Sequence, residues 1–132
     1  NNDSADNLIN KMREFSANIL ESKKIALKFV DSTNATCDLD FSLRQDVYLI
    51  FKEAINNAVK HSDCNNIFIQ VTKDHSFLNI TVQDDGKGIA HNKVIKGNGL
   101  DNMSKRAVEM KADLVKNFEQ NGVKIQIKFK IT

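Results

Sequence analysis

Apolar residues recur at helical spacing in three stretches of the chain and alternate with polar residues in most of the remainder. The first stretch predicts an amphipathic helix over residues 6–22, and the second predicts a longer helix that ends near Ser62. Ser42 and Gln45 form a capping-box pattern, which predicts where that second helix starts. The apolar positions of the third helix are Leu100, Met103, Ala107 and Met110.

Period-two alternation predicts the strands. One strand begins near Ile25, two form an antiparallel hairpin over residues 67–83, and a final hairpin turns at Asn121 and Gly122. Three helices on one face of a mixed, mostly antiparallel sheet make a two-layer α+β sandwich. The polar positions of the last strand are interpreted as a solvated sheet face with edge protection by lysine. They are Lys124, Gln126, Lys128 and Lys130.

Composition favours one soluble globular domain. The chain has 132 residues, of which 41% are hydrophobic and 27% charged, and no apolar run approaches the roughly 20 residues of a membrane span. A net charge of +2 is too small to indicate a nucleic-acid-binding surface, and direct membrane contact is not expected either. Cys37 and Cys64 lack the spacing of a metal or redox motif and are interpreted as reduced thiols.

Three polar elements interrupt this framework. Glu53 and Asn57 lie one helical turn apart on the second helix, on a different arc from its apolar residues. Residues 84–88 place carboxylates and glycines directly after a strand, where a carboxylate can accept a hydrogen bond from adenine and glycines admit a flat ring. Residues 97–99 read Gly-Asn-Gly before the third helix. Each element alone is typical of an ordinary solvated surface or turn.

In this order and at these separations, the elements resemble the N, G1 and G2 boxes of the GHKL ATPase superfamily. KEAINNAVKHS at residues 52–62 looks like the N box of sensor histidine kinases, DDGKGI at 84–89 is similar to G1, and GNGLDNM at 97–103 is similar to G2. KMREF at 11–15, followed by Ile19 and Leu20, resembles the segment that links the dimerising helices of such kinases to the ATP-binding domain. The resemblance covers nearly the whole chain and implies a Bergerat fold that holds ATP beneath a lid.

The resemblance implies a role for each residue of the G1 box that it matches. Asp84 would accept a hydrogen bond from the adenine amine, while Gly86 and Gly88 give the base room in a turn that ends at Ile89. Family members often carry Gly-Thr at the start of the last strand, where the threonine hydroxyl supports this carboxylate. This chain has Gly122 followed by Val123, so that hydroxyl is missing.

On the phosphate side, the family implies that Asn57 supplies an oxygen to Mg²⁺ and that Glu53 is the general base. Lys60 shares their face and can reach phosphate, whereas His61 lies at the border of the apolar arc and could contact ligand or pack at the edge of the core. Residues 90–98 would form a short lid. The third helix would then receive phosphate at its positive end. The residues that open it are Gly97, Gly99 and Leu100.

The implied function is the catalytic domain of a sensor histidine kinase, which binds Mg-ATP in the cytoplasm. Residues 1–22 would follow a dimerisation and histidine phosphotransfer domain that carries the acceptor, and residues 23–132 would form the ATP-binding domain. A response regulator would be the downstream partner. The alternatives are an ATP-hydrolysing machine, or a nucleotide-dependent switch such as an anti-sigma-factor-like module or a pseudokinase.

Overall fold

The structure is a computed structural model that describes residues 4–33, 37–86, 98–119 and 121–131. Within these residues the helices are α1 (Ala5–Ser22), α2 (Phe41–His61) and α3 (Asn98–Glu109). The strands are β1 (Ala26–Asp31), β2 (Asn66–Asp74), β3 (Phe77–Asp84), β4 (Asp113–Glu119) and β5 (Gly122–Lys130). None of the helices in the described ranges is long and apolar enough to cross a membrane.

The strands form one mixed sheet in the order β1-β2-β3-β5-β4. β1 and β2 pair in parallel, with α2 as the crossover between them, and the other three pairs are antiparallel. β3 is therefore the central strand. The predicted α+β sandwich with a mostly antiparallel sheet is confirmed.

The core lies between the helices and one face of the sheet. Alternate residues of the central strands face it, and Ile69, Ile80 and Ile127 are at most 3% exposed. The apolar arc predicted for α2 is confirmed, because most of its members are buried against this face. They are Val47, Ile50, Phe51, Ala54, Ile55 and Ala58.

The lysines of β5 lie on the opposite face of the sheet, but they do not protect an edge. β5 pairs with β3 on one side and with β4 on the other, so it is an interior strand. The prediction of edge protection is therefore wrong. Alternation reports which face of a sheet a residue occupies and carries no information about strand order.

Two element boundaries also differ from the predicted ones. α2 begins at Phe41 with Asp40 as its N-cap, because the amide of Arg44 bonds to the Asp40 carbonyl at 2.9 Å. Ser42 consequently lies in the first turn, and the predicted capping box is wrong. The β2–β3 hairpin extends one residue beyond the predicted range 67–83 at each end, to Asn66 and Asp84, and Asp74 pairs with Phe77 beside its turn.

α1 packs against α2 and β1 and belongs to the same hydrophobic core as the sheet. Its Leu8, Met12 and Leu20 are all at most 3% exposed. The α1–α2 contact is partly aromatic, since the rings of Phe15 and Tyr48 meet edge to face with their centroids 6.2 Å apart. The ammonium of Lys52 on α2 lies 5.3 Å from the Phe15 ring and 5.4 Å from the Tyr48 ring.

Candidate nucleotide-binding site

A pocket opens between the C-terminal half of α2 and the ends of β3 and β5. It contains about 300 Å³ of empty space, part of it open to solvent. Its wall is mostly apolar, as is usual for pockets that bind small molecules, and a few polar side chains interrupt it. The described residues that line it are Ala54, Asn57, Ala58, His61, Ser62, Val82, Asp84, Val123 and Ile125.

Asp84 is the acidic residue of this wall. It is the last residue of β3, and because its side chain faces the helices it is only 5% exposed. Its Oδ1 accepts hydrogen bonds from the amides of Gly86, at 2.9 Å, and Val123, at 3.3 Å. Burial raises the pKa of Asp84 above its ordinary value, and these two donors oppose the rise.

The glycines beside Asp84 are required by close backbone packing. A Cβ at Gly86 would lie 2.0 Å from the carbonyl oxygen of Ser62, and one at Gly122 would lie 2.0 Å from the carbonyl oxygen of Asp84. Gly122 also has a φ of +144°, which side-chain-bearing residues rarely adopt. Both glycines therefore let neighbouring chain segments approach Asp84.

Asp85 points away from the pocket, and its side chain joins the end of β3 to the start of β2. Its Oδ1 accepts from the amides of Asn65 and Asn66 at 2.9 and 2.8 Å, and its Oδ2 accepts from Nδ2 of Asn66 at 2.7 Å. The side chain of Asn66 is the main cause that lowers the pKa of Asp85. The pKa values of the two adjacent carboxylates are therefore shifted in opposite directions.

The predicted residues of α2 occupy different depths. Asn57 lines the pocket, and its Nδ2 is buried with no hydrogen-bond partner among the described residues. An unpaired buried amide costs about 1–3 kcal/mol, so this group is suited to bind a ligand. His61 lines the same pocket. Glu53, one turn before Asn57, is half-buried but is not among the described residues that line the pocket. Lys60 is exposed.

The remaining predicted residues belong to the other two boxes. Gly88, Ile89, Gly97 and most of the predicted lid at 90–98 lie outside the described residues. Gly99 and Leu100 lie in the first turn of α3, where backbone amides have no partner within the helix. α3 is joined to α2 by an ion pair between Arg106 and Asp46, with 3.4 Å between Nη1 and Oδ1.

Ser62 lines the pocket as well, although it was not predicted as a site residue. It is the C-cap of α2 and is 3% exposed. Its position at the end of the N box was the available signal in the sequence. Proximity to Asp84 could not be inferred, because that contact depends on how the end of α2 meets the turn after β3.

Comparison with protein families agrees with this geometry. Residues 42–132 match the family described as histidine kinase-, DNA gyrase B- and HSP90-like ATPases. The matched region is more than half of the chain and includes α2, the turn after β3 and α3. The chain therefore belongs to this ATPase family, which confirms the resemblance seen in its three boxes.

Individual relatives are sensor proteins and histidine kinases. The chain is 27% identical to the sensor protein VraS of Staphylococcus epidermidis over 108 residues, and 29% identical to VraS of Staphylococcus saprophyticus over 108 residues. In each case the match covers 80% of this chain and 31% of the relative, so the chain spans about a third of their length.

Solved structures show the same fold. The catalytic domain of histidine kinase ThkA superposes with a TM-score of 0.79 at 17% identity, covering 98% of this chain and 94% of that one. The histidine kinase AdeS of Acinetobacter baumannii gives 0.76 at 18% identity, covering 98% of this chain and 66% of that one. The expected Bergerat fold is thereby confirmed.

Proposed function

We propose that this chain is the ATP-binding catalytic domain of a sensor histidine kinase and transfers the γ-phosphoryl group of Mg-ATP to a histidine on a separate dimerisation domain. The observation that carries the proposal is the buried carboxylate of Asp84, held by two backbone amides in a pocket that it shares with the unpaired amide of Asn57. Membership of the ATPase family supports it.

Adenine is recognised at the Asp84 end of the pocket. Both backbone donors bind Oδ1, which leaves lone pairs of Oδ2 to accept the exocyclic amine of the base. Gly86 brings the turn after β3 against the backbone of Ser62, beside the carboxylate. The family resemblance assigns room for the base to Gly86 and Gly88, with Ile89 at the end of the same sequence motif. Apolar residues such as Val82 and Ile125 supply the flat surfaces against which a purine packs.

The phosphates lie towards Asn57 and the start of α3. The backbone amides of Gly99 and Leu100 face the phosphates at the positive end of that helix, with Gly97 before them, and Lys60 adds a positive charge. His61 contacts the nucleotide from the pocket wall.

Asn57 would supply one protein oxygen to Mg²⁺ through its side-chain amide, because a flip of the amide exchanges the positions of its oxygen and nitrogen. No cluster of three or more His, Cys, Asp or Glu side chains that could hold a metal occurs in residues 4–33, 37–86, 98–119 and 121–131. A single amide oxygen from the protein would suit a magnesium ion that arrives with ATP, because Mg²⁺ accepts phosphate and water oxygens alongside few protein ligands. When bound, the ion neutralises phosphate charge.

Glu53 acts on the nucleophile. It lies one helical turn before Asn57 and is half-buried, so its carboxylate can orient the incoming imidazole or accept its proton. The imidazole nitrogen forms the new bond to the γ-phosphorus as the bond to the bridging oxygen breaks and ADP leaves.

The acceptor histidine lies on a dimerisation and phosphotransfer domain of the same protein, and a response regulator receives the phosphoryl group afterwards. Residues 1–22 connect that domain to the ATP-binding domain at 23–132. Because the reaction needs ATP, the domain works in the cytoplasm. VraS is named as a sensor protein, which supports this assignment of partners.

Asp84→Asn tests the adenine site. The substitution places an amide nitrogen among the acceptors, and it meets the adenine amine donor to donor. We expect calorimetry to detect no binding of ATP or ADP by this variant. Asp74→Asn, the same change at the exposed turn of the β2–β3 hairpin, should bind as the wild type does. Unchanged affinity of Asp84→Asn would reject the site.

Glu53→Gln tests the base. The variant should retain most nucleotide affinity, and its phosphoryl transfer to the dimerisation domain should slow by about 10²–10⁴-fold. Transfer is measured with radiolabelled ATP, and Glu21→Gln at the exposed end of α1 is the control. Transfer at the wild-type rate would refute the assignment of Glu53. A wild-type protein that binds ATP and never transfers phosphate would instead favour the nucleotide-dependent switch.

A further inference from the structure

Ser62 lies at the junction of the three segments that form the adenine end of the pocket. Its hydroxyl is buried at the end of α2 and donates to the carbonyl oxygen of Ala58 at 2.6 Å. Ser62 and Asp84 line the same pocket, and the nearby Ser62 side chain is a minor cause that lowers the pKa of Asp84. A buried serine thus faces two acceptors.

The backbone packing keeps Ser62 beside Asp84. The Cα of Gly86 lies directly against Ser62, since a Cβ there would be 2.0 Å from the Ser62 carbonyl oxygen and 2.7 Å from its Cβ. Gly86 in turn donates its amide to Oδ1 of Asp84. Ser62 therefore packs directly against the residue whose amide binds the Asp84 carboxylate.

Across the pocket, Val123 contributes only its backbone amide to Asp84, at 3.3 Å, because its side chain has no hydroxyl. The backbone donors favour the ionised carboxylate, but burial opposes ionisation more strongly. A side-chain donor is therefore valuable at this position.

We propose that Ser62 is a positioning residue for nucleotide binding: in the bound state its hydroxyl donates to Asp84 instead of Ala58, and so supplies the side-chain hydrogen bond that Val123 cannot make. A serine hydroxyl has one proton, so it satisfies one of these acceptors at a time. The inference rests on the proposed function, because it assumes that Asp84 binds adenine.

The test compares Ser62→Ala with Ser16→Ala. Ser16 is equally buried and its hydroxyl also bonds to the carbonyl four residues earlier, at 2.8 Å, but it lies on α1 away from the pocket. Calorimetry with ADP should show about tenfold weaker binding for Ser62→Ala, the effect of one hydrogen bond to a charged group. Ser16→Ala should bind ADP like the wild type.

The pH dependence of binding separates positioning from general loss of structure. Without the hydroxyl, the pKa of Asp84 rises further, so affinity should be lost at a higher pH on acidification than in the wild type. Protonation of adenine itself is the same for both proteins and cancels. If Ser62→Ala does not fold, Ser62→Cys takes its place, because the thiol keeps the volume but is a weak donor. Ser62→Cys should then show the weaker ADP binding and the shifted pH midpoint.

Val123→Thr provides the rescue. Combined with Ser62→Ala, it places a hydroxyl on the opposite wall and should restore most of the lost affinity and the original pH midpoint. Wild-type affinity of Ser62→Ala, or weaker binding with neither the pH shift nor the rescue, would overturn the proposal. Failure of the wild type to bind, or normal binding by Asp84→Asn, would instead reject the adenine site itself.

Discussion

At the residue scale, two adjacent aspartates have different tasks because strand geometry points them to opposite faces. Asp84 faces the helices and loses solvent, which raises its pKa, whereas Asp85 faces outward and accepts three hydrogen bonds. The motif predicted that Asp84 is the carboxylate for adenine, and in the structure Asp84 lines the pocket. Asp85 was not expected to fasten β2 to β3, since its partners Asn65 and Asn66 precede it by about twenty residues.

Gly86→Ala should lower the free energy of unfolding by about 1–3 kcal/mol, the cost of forcing a methyl group into a filled space. The obstacle is the carbonyl of Ser62, which is backbone and cannot rotate aside. Urea titration followed by circular dichroism measures the change. An unfolding midpoint equal to that of the wild type would contradict this packing.

At the element scale, amphipathic periodicity was a reliable guide and boundary signals were weaker. The spacing of apolar residues predicted α1 and the buried arc of α2, because a helix must place one side against the core. The predicted start of α2 was wrong, because the first helical hydrogen bond runs from the Arg44 amide to the backbone carbonyl of Asp40, whose side chain makes no capping bond. The interior position of β5 depends on long-range pairing with β3, which local pattern does not encode.

Met12→Ala tests the contribution of α1. Met12 is fully buried in the core shared by α1 and the sheet, so its truncation should cost about 2–5 kcal/mol of unfolding free energy. The neighbouring Lys11 is exposed, and Lys11→Ala should change stability by less than about 0.5 kcal/mol. Equal stability of both variants in urea would show that α1 adds little to the fold.

At the scale of the whole molecule, the pocket joins elements that are distant in sequence. Asp84 ends the central strand, Val123 belongs to β5, and Asn57 and Ser62 come from α2. A nucleotide that contacts all of them binds only the folded chain, so binding and folding are thermodynamically linked.

Mg-ATP at about 100 times its Kd should stabilise the fold by about 2.7 kcal/mol and raise the Tm. Removing magnesium with EDTA should reduce the shift obtained with the same ATP concentration, because the proposed ligand Asn57 would then have no ion to hold. Differential scanning calorimetry measures both, with GTP as the control nucleotide. A shift that is equal for ATP and GTP would contradict selection of adenine by Asp84.

The edge-to-face contact of Phe15 with Tyr48 also places an intrinsic fluorophore between α1 and α2. The sequence has one tyrosine and no tryptophan, so tyrosine emission comes from Tyr48 alone. That ring lies where α1 meets α2 and does not line the nucleotide pocket. Its fluorescence therefore reports the attachment of α1 to the rest of the domain, and a change of emission on adding ATP would reveal communication between the pocket and α1.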